Sequence, residues 1–212
     1  QFEREYYYED GQHDDIGLLE DTMLPTDILH TDGTRSPHTL TPHEIHEACR
    51  ALKGSMLRQE TYALDRTDES HRPYTVAEHN QTIELLQIQG HNRHAVFMTH
   101  PRETFDLHYE RKLVEVANQQ HADPRVQHSI TLKVDSFGNT LRTLTVSYPR
   151  RTFDPTAPPP DEQLETHMTL TVNRVANCDN EPDWYHLGLP VETQIYEVVK
   201  PIDSTTTNSQ AI

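Results

Sequence analysis

The chain has 212 residues, 33% of them hydrophobic and 14 of them proline, and its 18 basic and 34 acidic residues leave a formal charge of -16. That length allows one well-buried core or two small ones, and the low apolar content favours a piece whose exposed edges are covered by neighbours over a free-standing globule. The negative field excludes nucleic acid and an anionic membrane surface as expected partners, no apolar run nears the roughly 18 residues of a membrane span, and Gln1 to Glu5 lack the basic-then-apolar order of a signal peptide.

Residues 1–32 hold ten acids and one base, Arg4, with three tyrosines from Tyr6 to Tyr8. A segment that repels itself is expected as an extended arm or linker, ordered only against something else. Thr41-Pro42-His43-Glu44 then reads as a capping box with proline in the first turn. Ile45, Ala48, Cys49 and Leu52 follow at helical spacing, and Gly54 supplies a left-handed stop, so the spacing predicts a helix over 42–53 with those four residues buried against a sheet. Cys49 is expected as a small core residue rather than a nucleophile. Two cysteines, Cys49 and Cys178, are too few for a disulfide scaffold or a metal site of their own.

From Ser55 the period changes to two. Phe105, Leu107 and Tyr109 alternate with polar residues, as do Ile130, Leu132 and Val134, then Leu144, Val146 and Tyr148. Each set predicts a half-buried strand, and Asp135 to Asn139 supplies turn residues, making 129–148 a hairpin. Consecutive antiparallel hairpins of one curved sheet are expected over 92–148. Met168, Leu170 and Val172 mark another strand and Val191 to Lys200 a last one, separated from the hairpin by a proline-rich acidic loop from Asp154 to Glu162. Residues 76–88 and 112–120 fit helix and strand equally. The fold class is mainly β with antiparallel hairpins and one short α-helix. The chain divides into an acidic extended arm (1–40), a β-rich region (41–203) and a frayed tail (204–212).

No constellation in the sequence carries chemistry. His43-Glu44-Ile45-His46-Glu47 has its histidines three apart, where the helical zinc motif needs four, and His38, His94, His100 and His108 have no ligand spacing either. Acid pairs such as Glu103 with Asp106 or Asp65 with Asp68 are expected by chance in so acidic a chain, and Ser55, Ser129 and Ser147 lack a glycine-flanked elbow. No catalytic, cofactor-binding or metal-binding residue is assigned, no cofactor is expected, and the chain reads as a non-enzyme. Arg150 and Arg151, with Arg142 nearby, are expected to pair with the acidic loop that follows, their other use being docking to an acidic neighbour. A β-rich secreted or cell-surface binding module is the alternative reading, for which the single tryptophan, Trp184, is a thin signal, and a histidine-dependent metal enzyme is a third.

Several strings together carry a resemblance. Cys49 to Glu60, Tyr62 to Asp65, Pro73 to Val76, Asn92 to Phe97, His100 to Thr104, His108 to Arg111, Asp123 to Val126, Val134 to Asn139 and Tyr148 to Arg151 run in the same order as in the middle, C-terminal region of the B component of insecticidal toxin complexes. The resemblance spans roughly 20–200. Between Arg111 and Asp123 the chain is longer than the family pattern, which implies an insertion at a hairpin tip. Asp135 to Leu141 is similar to the tyrosine-aspartate repeat turn of Rhs-like shells, where glycine and asparagine permit positive φ. The resemblance implies an internal piece of a secreted toxin, its strands part of a hollow Rhs-like shell that encloses the cytotoxic piece of the C component. It further implies docking to the pore-forming A component through a propeller outside this sequence, with no membrane span and no catalytic residue here.

Overall fold

The computed structural model describes residues 6–7, 19–116, 119–151 and 158–199. Eleven strands are seen among them: β1 (Asp27–Leu29), β2 (Arg35–Pro37), β3 (Arg58–Thr61), β4 (Thr75–Gln87), β5 (Val96–His108), β6 (Leu113–Val116), β7 (Gln119–Ala122), β8 (Arg125–Val134), β9 (Thr140–Tyr148), β10 (His167–Cys178) and β11 (His186–Glu197). Nine form one sheet in the order β11-β10-β9-β8-β5-β4-β1-β2, with β3 pairing the first residues of β4. Every pairing in it is antiparallel except the short β1–β4 contact at Ile28 and Leu85. The expected mainly β fold is therefore what forms.

The expected run of consecutive hairpins over 92–148 needs a correction. β5 pairs directly with β8, and the chain between them folds back as a separate two-stranded ladder, β6–β7. This is the stretch that the sequence left undecided between helix and strand. The β8–β9 hairpin matches its expectation. Asp135 Oδ1 accepts the amides of Phe137 and Asn139, both at 2.9 Å, and Gly138 closes the turn at φ 82°, a conformation that glycine adopts without steric cost.

The helix, α1 (Pro42–Ala51), begins where the capping box places it: the Glu44 amide donates to Thr41 Oγ1 at 3.3 Å and the Thr41 amide to Glu44 Oε2 at 2.9 Å. Its buried face differs from the expected one. Ala48 and Glu44 are buried, whereas Ile45 and Cys49 are exposed and Leu52 is half-buried at the C-cap. The cause lies at the far end of the β4–β5 hairpin. Glu44 Oε1 accepts the Gln89 amide at 2.9 Å and Glu47 Oε2 the Ala95 amide at 2.8 Å, so two carboxylates one turn apart hold the helix onto the loop between those strands. Charge-assisted bonds to backbone amides outweigh the modest gain from turning Ile45 inward.

Register divides the sheet into two unlike faces. On one, Val76, Leu107 and Val126 form the core cluster, with Phe105 and Tyr109 packed against it, and Ile130, Leu144 and Leu170 continue the row across β8, β9 and β10. On the other, Thr104, Ser129, Thr145 and Thr169 make one row of hydroxyls and Thr131, Thr143 and Thr171 the next. Alternation along each strand makes this segregation automatic. The apolar face is buried at β4, β5, β8 and Val146 of β9; toward β10 and β11 it is half-exposed.

Candidate functional site

The apolar face is sealed at β3 and β4 by residues of the acidic arm, through polar groups. Arg58 on β3 bonds to Glu60 Oε1 at 2.6 Å and to Glu78 Oε1 on β4, and its guanidinium lies 4.7 Å from the Tyr6 ring centre. Glu60 accepts the Tyr7 amide and Glu78 the Leu19 amide, both at 3.0 Å. Asn80, 2% exposed, donates to Glu20 O at 3.0 Å and accepts the Glu103 amide at 2.8 Å. Buried ions are stable only with such pairing, so the arm residues that supply these partners are part of the core.

Three further anchors shape the sheet ends. Arg111, at φ 57°, donates to Asp65 Oδ2 at 2.8 Å and Tyr74 Oη at 2.9 Å while lying over the Tyr74 ring; this guanidinium holds the Asp65 carboxyl well below its ordinary range. Arg150 joins Glu110, Asp123 and Gln163, so its carboxylate partners come from the connection before β8 and not, among the described residues, from the acidic loop expected to pair with it; Gln163, the residue after that loop, adds a side-chain amide oxygen. At the third anchor, Asn177 Nδ2 donates to Asp135 Oδ2 at 2.8 Å while Asn177 Oδ1 accepts the Gly188 amide at 2.8 Å. This stitches the β8–β9 turn to the start of β11. Burial would raise the Asp135 carboxyl, but donors from Asn139, Asn177 and the turn amides outweigh it and hold it low.

Three of the histidines weighed in the sequence fall into carboxylate pairs. His38 Nε2 lies 3.1 Å from Glu44 Oε2, and His94 Nδ1 and His43 Nδ1 lie 2.5 and 3.6 Å from Glu47. His100 bonds its neighbour's carbonyl, and His108 faces Arg125 across β5 and β8. Among the described residues no three His, Cys, Asp or Glu side chains converge as a metal site. Glu103 and Asp106 point to opposite faces of β5, and Ser129 bonds Thr145 at 3.4 Å. These positions are joined into no acid pair and no nucleophile–base couple. No described helix is long and apolar enough to cross a membrane.

The last strand, expected over Val191 to Lys200, forms earlier in the chain, as β11 at His186–Glu197. β11 pairs with β10 alone among the described residues, and most of it is exposed, including Leu189, Val191, Ile195 and Tyr196. Trp184 and Tyr185 stand exposed just before it. A twelve-residue edge of this kind, which carries Glu192 and Glu197 but no basic residue other than His186, is a template for another strand.

Comparison with known proteins agrees with this geometry. A profile described as "Insecticide toxin TcdB middle/C-terminal region" matches residues 47–187. The crystal structure of TcdB2-TccC3-Cdc42 superposes with a TM-score of 0.64 at 26% identity, covering 93% of this chain and 9% of that chain. The Photorhabdus luminescens Tc holotoxin pore gives 0.63 at 26% identity, with coverages of 93% and 9%, and the crystal structure of TcdB2-TccC3 gives 0.64 at 26%, with 92% and 9%. The chain thus spans about a tenth of the length of the solved proteins it resembles. No curated protein sequence matches it. With two thirds of its length under one profile and its sheet superposed on the same group of structures, the chain belongs to the insecticide toxin TcdB middle/C-terminal region family.

Proposed function

We propose that this chain is a wall segment of the B component of an insecticidal toxin complex. Its strands form part of the hollow shell that encloses the cytotoxic part of the C component for delivery through the A-component pore. It acts as structure and not as an enzyme, in a secreted assembly. The observation that carries the reading is a ladder of antiparallel strands, β4-β5-β8-β9-β10-β11, ending on the exposed strand β11, whose outer edge no described strand pairs with. A closed globule covers such an edge, whereas a continuous wall extends it. The division into arm, β-rich region and tail fits this role, with the arm sealing one end of the wall; the tail lies outside the described residues.

The test disrupts one central strand within the parent protein. Thr143 on β9 pairs with Thr131 on β8 and Thr171 on β10, and proline there removes a ladder donor. In B component co-expressed with C component, Thr143→Pro is expected to make the enclosed C fragment protease-sensitive. A Thr143→Pro complex that assembles and keeps that fragment fully protected would sink the wall reading.

A further inference from the structure

Two cations face each other across β8 and β9. In an unbroken ladder Leu132 would oppose Arg142, one step on from the Thr131–Thr143 pair. The register instead slips by one residue at Leu132 and again at Leu141, so that Lys133 opposes Arg142. A bulge of this kind re-aims side chains, and here it sets like charges opposite each other, an arrangement that destabilises a sheet. Both side chains are exposed, and among the described residues neither has a hydrogen bond or an ion pair. Carboxylates nearby in the register are engaged elsewhere: Asp135 with Asn139 and Asn177, Glu103 with His128 and Arg102, and Glu192 with Arg174. Arg58, Arg111 and Arg150, by contrast, are each held by a carboxylate.

Apolar neighbours share this face. Arg142 and Leu144 lie two residues apart on β9 and hence on one side of it. Across the ladder Leu144 meets Ile130 and Leu170, and Arg142 meets Val172. These four apolar side chains are half-buried, and Leu132 at the bulge is 52% exposed. Two unspent cations beside such a strip match an occupant that brings a carboxylate and an apolar side chain together; a phosphate supplies only the charge. In an extended chain, side chains two residues apart lie on one side and about 6.6 Å from each other, the spacing of Arg142 and Leu144 themselves. The other acids of this chain oppose a carboxylate at long range, but salt at about 0.1 M screens them beyond about 10 Å and leaves contact pairs in place.

We propose that this patch docks an extended acidic segment of a partner protein with the pattern Glu-x-Leu, the carboxylate between Lys133 and Arg142 and the apolar side chain against Ile130, Leu144 and Leu170. The proposal goes beyond the wall reading and does not rest on it.

Fluorescence anisotropy of the full chain at about 0.1 M salt tests it. The labelled peptides contain Glu-Ser-Leu, its neutral counterpart Gln-Ser-Leu, or Glu-Leu-Ser, in which the two side chains point to opposite sides of an extended chain. Glu-Ser-Leu is expected to bind about fivefold tighter than either control, as exposed ion pairs give. Its advantage over Gln-Ser-Leu is expected to vanish in the double variant Lys133→Gln/Arg142→Gln. Urea unfolding supplies a readout that needs no peptide: relief of the like-charge opposition is expected to leave the midpoint of Lys133→Gln at or above that of the parent. Equal affinity for the three peptides, an advantage that persists in the double variant, or a lowered midpoint of Lys133→Gln would overturn the proposal.

Discussion

Glu44 shows how one side chain sets the position of an element. It is 1% exposed and accepts from the Thr41 and Gln89 amides, the Thr41 hydroxyl and His38. Burial alone would raise its carboxyl, but those donors outweigh it and bring the value from an ordinary 4.5 down to about 2. A carboxyl whose folded value is depressed adds stability that is fully present above its unfolded value and is lost as pH falls through the folded one. Its contribution is therefore complete above pH 4.5 and fades toward pH 2. Glu44→Gln keeps the shape but surrenders the charge, and leaves the buried amides with a weaker acceptor, a loss of roughly 1–3 kcal/mol at pH 7. Urea unfolding of both proteins at several pH values is expected to show that gap closing as pH drops from 4.5 to 2. A gap independent of pH would show that the bonds are not made to the carboxylate.

At the scale of elements, local chemistry was legible and long-range chemistry was not. The capping box and the β8–β9 turn are written in neighbouring residues, and both formed as the sequence predicts. The orientation of α1 depends on amides at Gln89 and Ala95, more than forty residues from the carboxylates that bind them, and apolar spacing holds no record of that. β4 resisted assignment for a related reason. Its buried positions include Glu78, Asn80 and Glu84 beside Val76, Ile83 and Leu85, so hydrophobic periodicity fails where ion pairs and the arm satisfy a polar core. Nor does the sequence reveal which glycines meet a neighbour. Gly33 and Gly188 both have positive φ, 81° and 69°, yet a Cβ on Gly33 meets open space while one on Gly188 would lie 2.5 Å from Asn139 Oδ1. Gly33→Ala is expected to cost about 1 kcal/mol of left-handed strain. Gly188→Ala adds the displacement of Asn139 from the Asp135–Asn177 stitch and is expected to cost roughly 2–3 kcal/mol. Chemical denaturation of the two variants gives the comparison directly, and equal losses would mean that the stitch contributes nothing.

At the scale of the whole molecule the decisive property is the exposed outer strand, β11. Among the described residues the buried apolar side chains are few and lie mostly in α1, β4, β5 and β8, and no described strand pairs with the outer edge of β11. A long edge carrying Leu189, Val191, Ile195 and Tyr196 has no lysine, and only Pro190, Glu192 and Glu197 oppose its pairing. The formal charge of -16 opposes association over long range, but salt screens it to within about 10 Å at 0.1 M. The chain alone is therefore expected to be more monomeric at low ionic strength and to self-associate through β11 as salt rises, the reverse of an interface held by ion pairs. Ile195→Lys, at a position 69% exposed, places a charge on that edge without touching the core and is expected to restore the monomer. Light scattering of both proteins across a salt series decides the matter: if the parent chain stays monomeric at high concentration and high salt, the open edge is not a pairing surface and the continuous wall loses its main support.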